Sequence, residues 1–242
     1  MPSEQHEGPN LPSRLTAFDL FAGMASADLE KIAPRLHVQT WPRRQAVMPP
    51  ASTAENFYLI LKGRVKIGTN HPVTGRELTF CILGPGAGHD IITLLDGHIH
   101  RVNATSLDAL ETACAPLSQW HAWMERYPSL RHALLHCAAR RLRELSELAE
   151  DLALHETSAR LAHLLLRHID EGSDDERHLL HGLAHEELAH LIGSVRVVVN
   201  RLINRFKQEG IIHTEAGQLH VTDFERLMEK AERRVQSLLK PR

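Results

Sequence analysis

The stretch PSLRHALLHCAARRLRELSELAEDLALH, residues 128 to 155, constrains this chain more than any other segment. Leu135, Ala138, Leu142, Leu145, Ala149 and Leu152 recur at spacings of 3, 4, 3, 4 and 3, the roughly 3.5-residue repeat of a coiled-coil seam. A helix with such a seam needs an apolar partner along its length. Arg140, Arg141, Arg143, Glu144, Glu147, Glu150 and Asp151 occupy its other faces, where solvation is expected. The plainer alternative is one amphipathic helix lying on its own β-domain.

The helix divides two unlike regions. Before it, short β-prone runs such as LHVQTW, NFYLILKGRVKIG, ELTFCILG and HRVNATSL alternate with Pro, Gly, Asn and Ser clusters, the pattern of an all-β sandwich or jelly roll. Gly63 suits a tight strand-turn-strand, and NHPVTGRE reads as a longer loop between two further strands. Helical material precedes the strands, since LTAFDLFAGMASADLEKIAPRL has an Asp or Ser cap candidate before amphipathic spacing. After the long helix come the helix TSARLAHLLLRHI and the acidic loop DEGSDDERH. Further on, two strand candidates, GIIHTEA and GQLHVT, meet at a turn around EAG, and TDFERLMEKAERRVQSLL reads as a capped helix. The expected division is 18–127, 128–156 and 157–242.

In the last region, HEELAHLIGSVRVVVNRLINRFKQEG joins two helical patterns through Gly193. The first spans 186 to 192, with Ala189 small enough for close packing, and Gly193 supplies the positive φ of the turn. In the second, Val195, Val198, Val199, Leu202, Ile203 and Phe206 form the expected buried face. Arg196, Val197, Asn200, Arg201, Asn204 and Lys207 then face outward. From Ser194 to Lys207 there are four basic residues and no Asp or Glu. The net charge of the whole chain is −2, so attraction to nucleic acid must come from this local patch. Helix, helix-turn-helix and hairpin together make a winged unit whose second helix enters the major groove by its N-terminal residues. An amphipathic helix with arginines on its wet face is the simpler reading, and the turn glycine, the absent acids and the hairpin weigh against it.

At 242 residues and 43% hydrophobic content the chain can bury real cores. No apolar run approaches the roughly 18 to 20 residues that cross a bilayer, and MPSEQHEGPNLPSRL has no basic start followed by an apolar core, so the cytoplasm is the expected compartment. Cys81, Cys114 and Cys137 lie far apart without a C-x-x-C, which argues against a disulfide framework and the usual iron–sulfur spacing.

HEELAHLIGSVRVVVNRLINRFKQEGII closely resembles the helix-turn-helix of the CRP/FNR transcription regulators, named for the cyclic-AMP receptor protein and the fumarate and nitrate reduction regulator. NFYLILKGRVKI and LGPGAGHDI resemble the family's β-roll, and the likeness covers about residues 18 to 226. It implies an α+β chain: an N-terminal β-roll (a jelly-roll sensor domain), a long dimerisation helix and a C-terminal winged helix-turn-helix. By position, Arg196 falls where the family has a base-contacting arginine, able to engage guanine O6 and N7. Arg201 falls where it has a further groove- or phosphate-contacting arginine. Many members place a glutamate directly after the first arginine to accept from cytosine; here Val197 stands there, and an altered half-site is expected. With Ser194, Asn200, Asn204 and Lys207 these form the candidate DNA-contacting set. The resemblance also implies a homodimer on a palindromic operator and RNA polymerase as a further partner.

Cyclic-nucleotide-binding members have a glutamate for the ribose in a GEL stretch and an RS or RT pair further on for the cyclic phosphate. Here His89 or Asp90 stands near the glutamate and His98–Ile99 near the pair, with Arg101 the nearby guanidinium. Cyclic AMP is therefore not expected as a strong effector. A four-cysteine iron–sulfur cluster is not expected either. Haem stays open, through His89, His98 and His100 in the sensor segment, and a metal through His132 and His136, at i and i+4 beside Cys137. The commoner fate of such residues is to be solvated or hydrogen-bonded. HIH, residues 98 to 100, is also similar to the H-x-H of cupin metalloenzymes. The downstream glutamate of that motif is missing, since the first acid after it is Asp108, so an enzyme is not expected.

Overall fold

The computed structural model describes residues 3–4, 11–168, 179–215 and 218–232. It divides into two compact units, Met1–Thr69 with Cys81–Glu144, and Asn70–Phe80 with Leu145–Arg242. The division falls inside the long helix.

The first unit begins with β1 (Ser3–Glu4), α1 (Leu11–Thr16) and α2 (Ser26–Ile32), with 3-10 turns at Asp19–Phe21 and Ala33–Arg35. Neither an Asp nor a Ser caps α2: Ala25 precedes it without a side-chain hydrogen bond, and Ser26 is already its first residue. There follow β2 (His37–Trp41), β3 (Ala46–Val47), α3 (Pro50–Thr53), β4 (Asn56–Lys62), β5 (Val65–Asn70), β6 (Glu77–Leu83), β7 (Gly88–His89), α4 (Ile91–Asp96), β8 (Asn103–Ser106) and β9 (Leu110–Pro116). They form a five-stranded sheet in the order β1-β2-β9-β4-β7 and a four-stranded sheet in the order β3-β8-β5-β6. The turn at Gly63 is a corner from one sheet to the other, not a hairpin, because β4 and β5 lie in different sheets. Gly63 has φ 79°, and a Cβ there would stand 2.4 Å from the Ala109 carbonyl oxygen, so only glycine fits.

β4 is buried from Phe57 to Leu61, as expected of a strand covered on both faces. Phe57, Leu59 and Leu61 pack with Ala113 and Ala115 of β9 against the helices. Trp120 and Trp123 of α5 (Leu117–Arg126) complete that core, with Trp120 edge-on to Phe57 at 4.9 Å and to Trp123 at 5.1 Å.

α6 runs Pro128–Leu154 without a break. Leu130 and Leu134 are buried in the core, while Leu135, Leu142 and Leu145 of the seam are 51%, 68% and 39% exposed. Two residues expected on its wet faces are not there. Arg141 is half-buried and pairs with Glu144 at 2.5 Å, and Asp151 is buried against His163 and Arg167.

The second unit continues with α7 (Thr157–Arg167), α8 (His185–Leu191), α9 (Arg196–Gln208), an antiparallel hairpin of β10 (Ile212–Glu215) and β11 (Gln218–Val221), and α10 (Phe224–Lys230). Asp223 caps α10 by accepting from the Arg226 backbone N–H at 3.0 Å. The acidic loop at 170–178, two residues of the hairpin turn and the chain after 232 lie outside the described residues. Among the described residues no helix is long and apolar enough to cross a membrane.

Candidate nucleic-acid interface and sensor pocket

α9 is held by its apolar face. Val199, Ile203 and Phe206 are fully buried, Val198 and Leu202 half-buried, and across the turn Leu188, Ala189 and Ile192 are buried too. Ala189 lets the two helices approach, and its carbonyl accepts from the Ser194 N–H at 2.8 Å. Gly193 has φ 60°, and a Cβ on it would stand 2.4 Å from Leu152 Cδ2. Two independent constraints therefore require glycine at the turn.

The outward face carries Arg196, Val197, Asn200, Arg201, Asn204 and Lys207, all exposed; Ser194 is half-buried in the turn. Val195 departs from expectation, being 54% exposed. It precedes the helix in an extended conformation, φ −123° and ψ 150°, so the helical period that placed it inward starts one residue too late to apply. Val197 is 68% exposed, an apolar side chain held in water beside Arg196. Arg205 is turned back on Glu209 at 3.3 Å. Asn200 Oδ1 lies 3.0 Å from His185 Nδ1. Arg196 is the first residue of α9, so its charge is carried at the helix end whose dipole also favours an anion.

NHPVTGRE does link two strands, β5 and β6, but its contacts with the helix-turn-helix are not legible in the sequence. Within the second unit Arg76 donates to the Gly193 carbonyl, and Glu77 Oε2 lies 3.5 Å from His190 Nδ1. The loop NHPVTGRE thus rests on the turn that precedes α9. Only its chain length and its arginine were visible beforehand, and neither predicts a contact 117 residues away.

The sensor candidates in the first unit separate into two groups. His98 and Arg101 stand in solvent, whereas His89 and Asp90 are buried. Asp90 is left-handed, φ 69°, at the start of α4. Its Oδ2 accepts from Thr93 Oγ1 at 2.9 Å and its Oδ1 faces His100 Nδ1 at 3.2 Å. The single Thr93 hydroxyl proton is shared between Asp90 and the His98 carbonyl, also 2.9 Å away, while Thr93 Oγ1 accepts from the His100 N–H. The carboxylate is therefore spent on holding the 90–100 segment. Burial pushes the His89 imidazole down to about 4, against an opposing pull from Asp90 and with help from His100 and Arg141. The guanidinium beside His89 is thus Arg141 from α6, not Arg101. The same Arg141 opposes, without overcoming, the burial that pushes the Cys81 thiol up.

His132 and His136 meet on the exposed side of α6, Nε2 to Nε2 at 3.1 Å. Cys137 does not join them; it packs against the core of the first unit.

Comparison with known proteins places this geometry. A family model described as the Crp-like helix-turn-helix domain matches residues 159–230. The CRP-like cAMP-activated global transcriptional regulator of Mycobacterium tuberculosis is 27% identical over 215 residues, covering 88% of this chain and 96% of that one. The cyclic AMP receptor protein of Thermus thermophilus is 27% identical over 212 residues, with the same coverage of 88% and 96%. Among solved structures, a mutant of CooA from Carboxydothermus hydrogenoformans superposes with a TM-score of 0.71 at 20% identity, covering 83% of this chain and 90% of that one. This last likeness concerns the fold.

Proposed function

We propose that this chain, which belongs to the CRP/FNR family of transcription regulators, works as a homodimer on a two-fold symmetric operator with half-sites about one DNA turn apart. Fold and relatives are those of regulators rather than enzymes, which leaves no role for a cupin-type site. The observation that carries the proposal is the exposed Arg196 at the N-terminal end of a helix whose other face is fully locked into its domain. Arg196 reads guanine in the major groove, Arg201 continues the contact, and Lys207 meets phosphate. Val197 can touch a thymine methyl but accepts no hydrogen bond, so it favours a half-site different from one read by a glutamate. The exposed leucines of α6 support pairing with a second copy. On the family's account RNA polymerase is the further partner and the cytoplasm the compartment.

Control passes through the β-roll, by an effector other than cyclic AMP. Two relatives are named for cyclic AMP, but here Asp90 is tied to Thr93 and His100, and Arg101 is in solvent. The residues present do not offer the paired donors that a cyclic phosphate needs. A haem- or metal-responsive reading draws support from His89, whose neutral imidazole is competent to ligate at cellular pH. Selection from a pool of random duplexes tests the operator claim: a palindromic consensus supports it, and an asymmetric or absent consensus sinks it. An absorption spectrum with metal analysis of the purified protein separates these readings: a Soret band marks haem, bound metal without it marks a metal sensor, and neither leaves another effector.

A further inference from the structure

We propose that Asp151, His155 and His163 form a binding site for a divalent transition-metal ion, with Glu232 as a fourth ligand, where the end of α6 meets α7 and the end of α10. One donor atom from each of the first three lies within 4.8 Å of the others. His163 is 2% exposed and Asp151 5%.

The hydrogen bonding around the cluster sets its chemistry. His163 Nε2 lies 2.7 Å from the Ala231 carbonyl oxygen. A carbonyl only accepts, so Nε2 carries the proton. That arrangement orients the ring and turns Nδ1 toward Asp151 Oδ1, 2.5 Å away. With Nε2 protonated, the neutral ring brings two acceptors together there, and something positive must stand between them: a proton or a cation. The other carboxylate oxygen is held by Arg167 at 3.0 Å. An imidazole donating its far N–H to a backbone carbonyl, and a carboxylate hydrogen-bonded through its second oxygen, are the supports that metal ligands ordinarily have.

His155 supplies the independent observation. Its Nδ1 is buried and has no hydrogen-bond partner, although its ring stands edge-on to His163 at a centroid distance of 4.8 Å. A buried ring nitrogen left without a partner costs free energy that a ligand would recover. Glu232 Oε2 stands 3.5 Å from that nitrogen on the open side. Two imidazoles and one or two carboxylates suit zinc, cobalt, nickel or ferrous iron rather than calcium or magnesium. Tetrahedral ligands at ordinary bond lengths are about 3.4 Å apart, so the ion enters by replacing the shared proton and spreading Asp151 and His163 by under about 1 Å.

The test is titration of the dialysed full-length protein with Co²⁺, read by the visible bands of tetrahedral cobalt, followed by displacement with Zn²⁺. The wild-type chain is expected to take one tight equivalent. His155→Ala removes a ring whose buried Nδ1 makes no hydrogen bond, so the fold should survive, as a circular dichroism melt would verify. Its cobalt affinity should fall by at least about 100-fold, the upper end of the loss seen for an outer-shell partner alone. His190→Ala, at the separate Glu77–Glu187–His190 group, should keep the band. A wild-type chain without the band, equal affinity in His155→Ala, or loss of the band in His190→Ala would each overturn the site.

Discussion

The outward face of α9 and the interior around His89 both concentrate polar residues, and they spend them in opposite ways. On α9, Arg196, Arg201 and Lys207 make no ion pair among the described residues. Around His89, Asp90 of the β-roll holds Thr93 and His100, and Arg141 of α6 pairs with Glu144 of the same helix. A helix that must bind something else keeps its charges free and takes its stability from the apolar face. A pocket whose polar groups answer one another takes stability from them, and gives up capacity to bind an anion.

The contrast can be broken most directly at Asp90. Asp90→Ala removes partners of Thr93 and His100 and leaves an alanine at φ 69°, so unfolding in urea should show a loss of about 2–4 kcal/mol. A loss below about 0.5 kcal/mol would mean that the network is not structural.

Acid should act on the same interior. The His89 imidazole titrates near about 4 in the fold and near the ordinary 6.5 in the unfolded chain. Between those values the unfolded chain binds more protons, so stability falls as pH drops from about 6.5 to about 4. His89→Leu should flatten that fall, read as urea midpoints at pH 7 and pH 5, and an unchanged pH dependence would contradict the burial argument.

Next in size, Leu142→Glu places a charge on a leucine that is 68% exposed and that the proposed homodimer would cover. Sedimentation should show self-association weakened by about 10- to 100-fold, with the β-roll still folded. The smallest effect belongs to Lys207→Ala. Its stability should stay within about 0.5 kcal/mol of the wild type, while the slope of log affinity for DNA against log salt falls by about 1.

What the sequence revealed and what it hid follow the same division. α8 and α9 were legible because a solvent-facing helix writes its buried side as a 3.6-residue period, and α6 because its leucines recur at a roughly 3.5-residue seam, which the fold leaves exposed. Val195 was misplaced because it precedes that period, as a cap. β9, reading LETACAP, escaped notice because Ala113 and Ala115 fill a tight core with small residues rather than β-branched ones. α5 was missed although it carries Trp120 and Trp123. Arg141 and Asp151 read as solvated on a helical wheel, and only tertiary contacts from β6, β7 and α7 bury them. Arg76 stays exposed, and its hydrogen bond to the Gly193 carbonyl is likewise a tertiary contact that local sequence does not encode. Local period predicts which face is apolar; it does not predict which polar residues a distant segment will claim.

The central claim is that α9 is free to read bases and that Arg196 does the reading. The direct measurement is the ratio of affinities for a selected palindromic duplex and for a scrambled one, at fixed salt, in the wild type and in Arg196→Ala. The account predicts that the variant folds normally and loses roughly 1–3 kcal/mol of that discrimination. An unchanged ratio in a folded Arg196→Ala protein would contradict it.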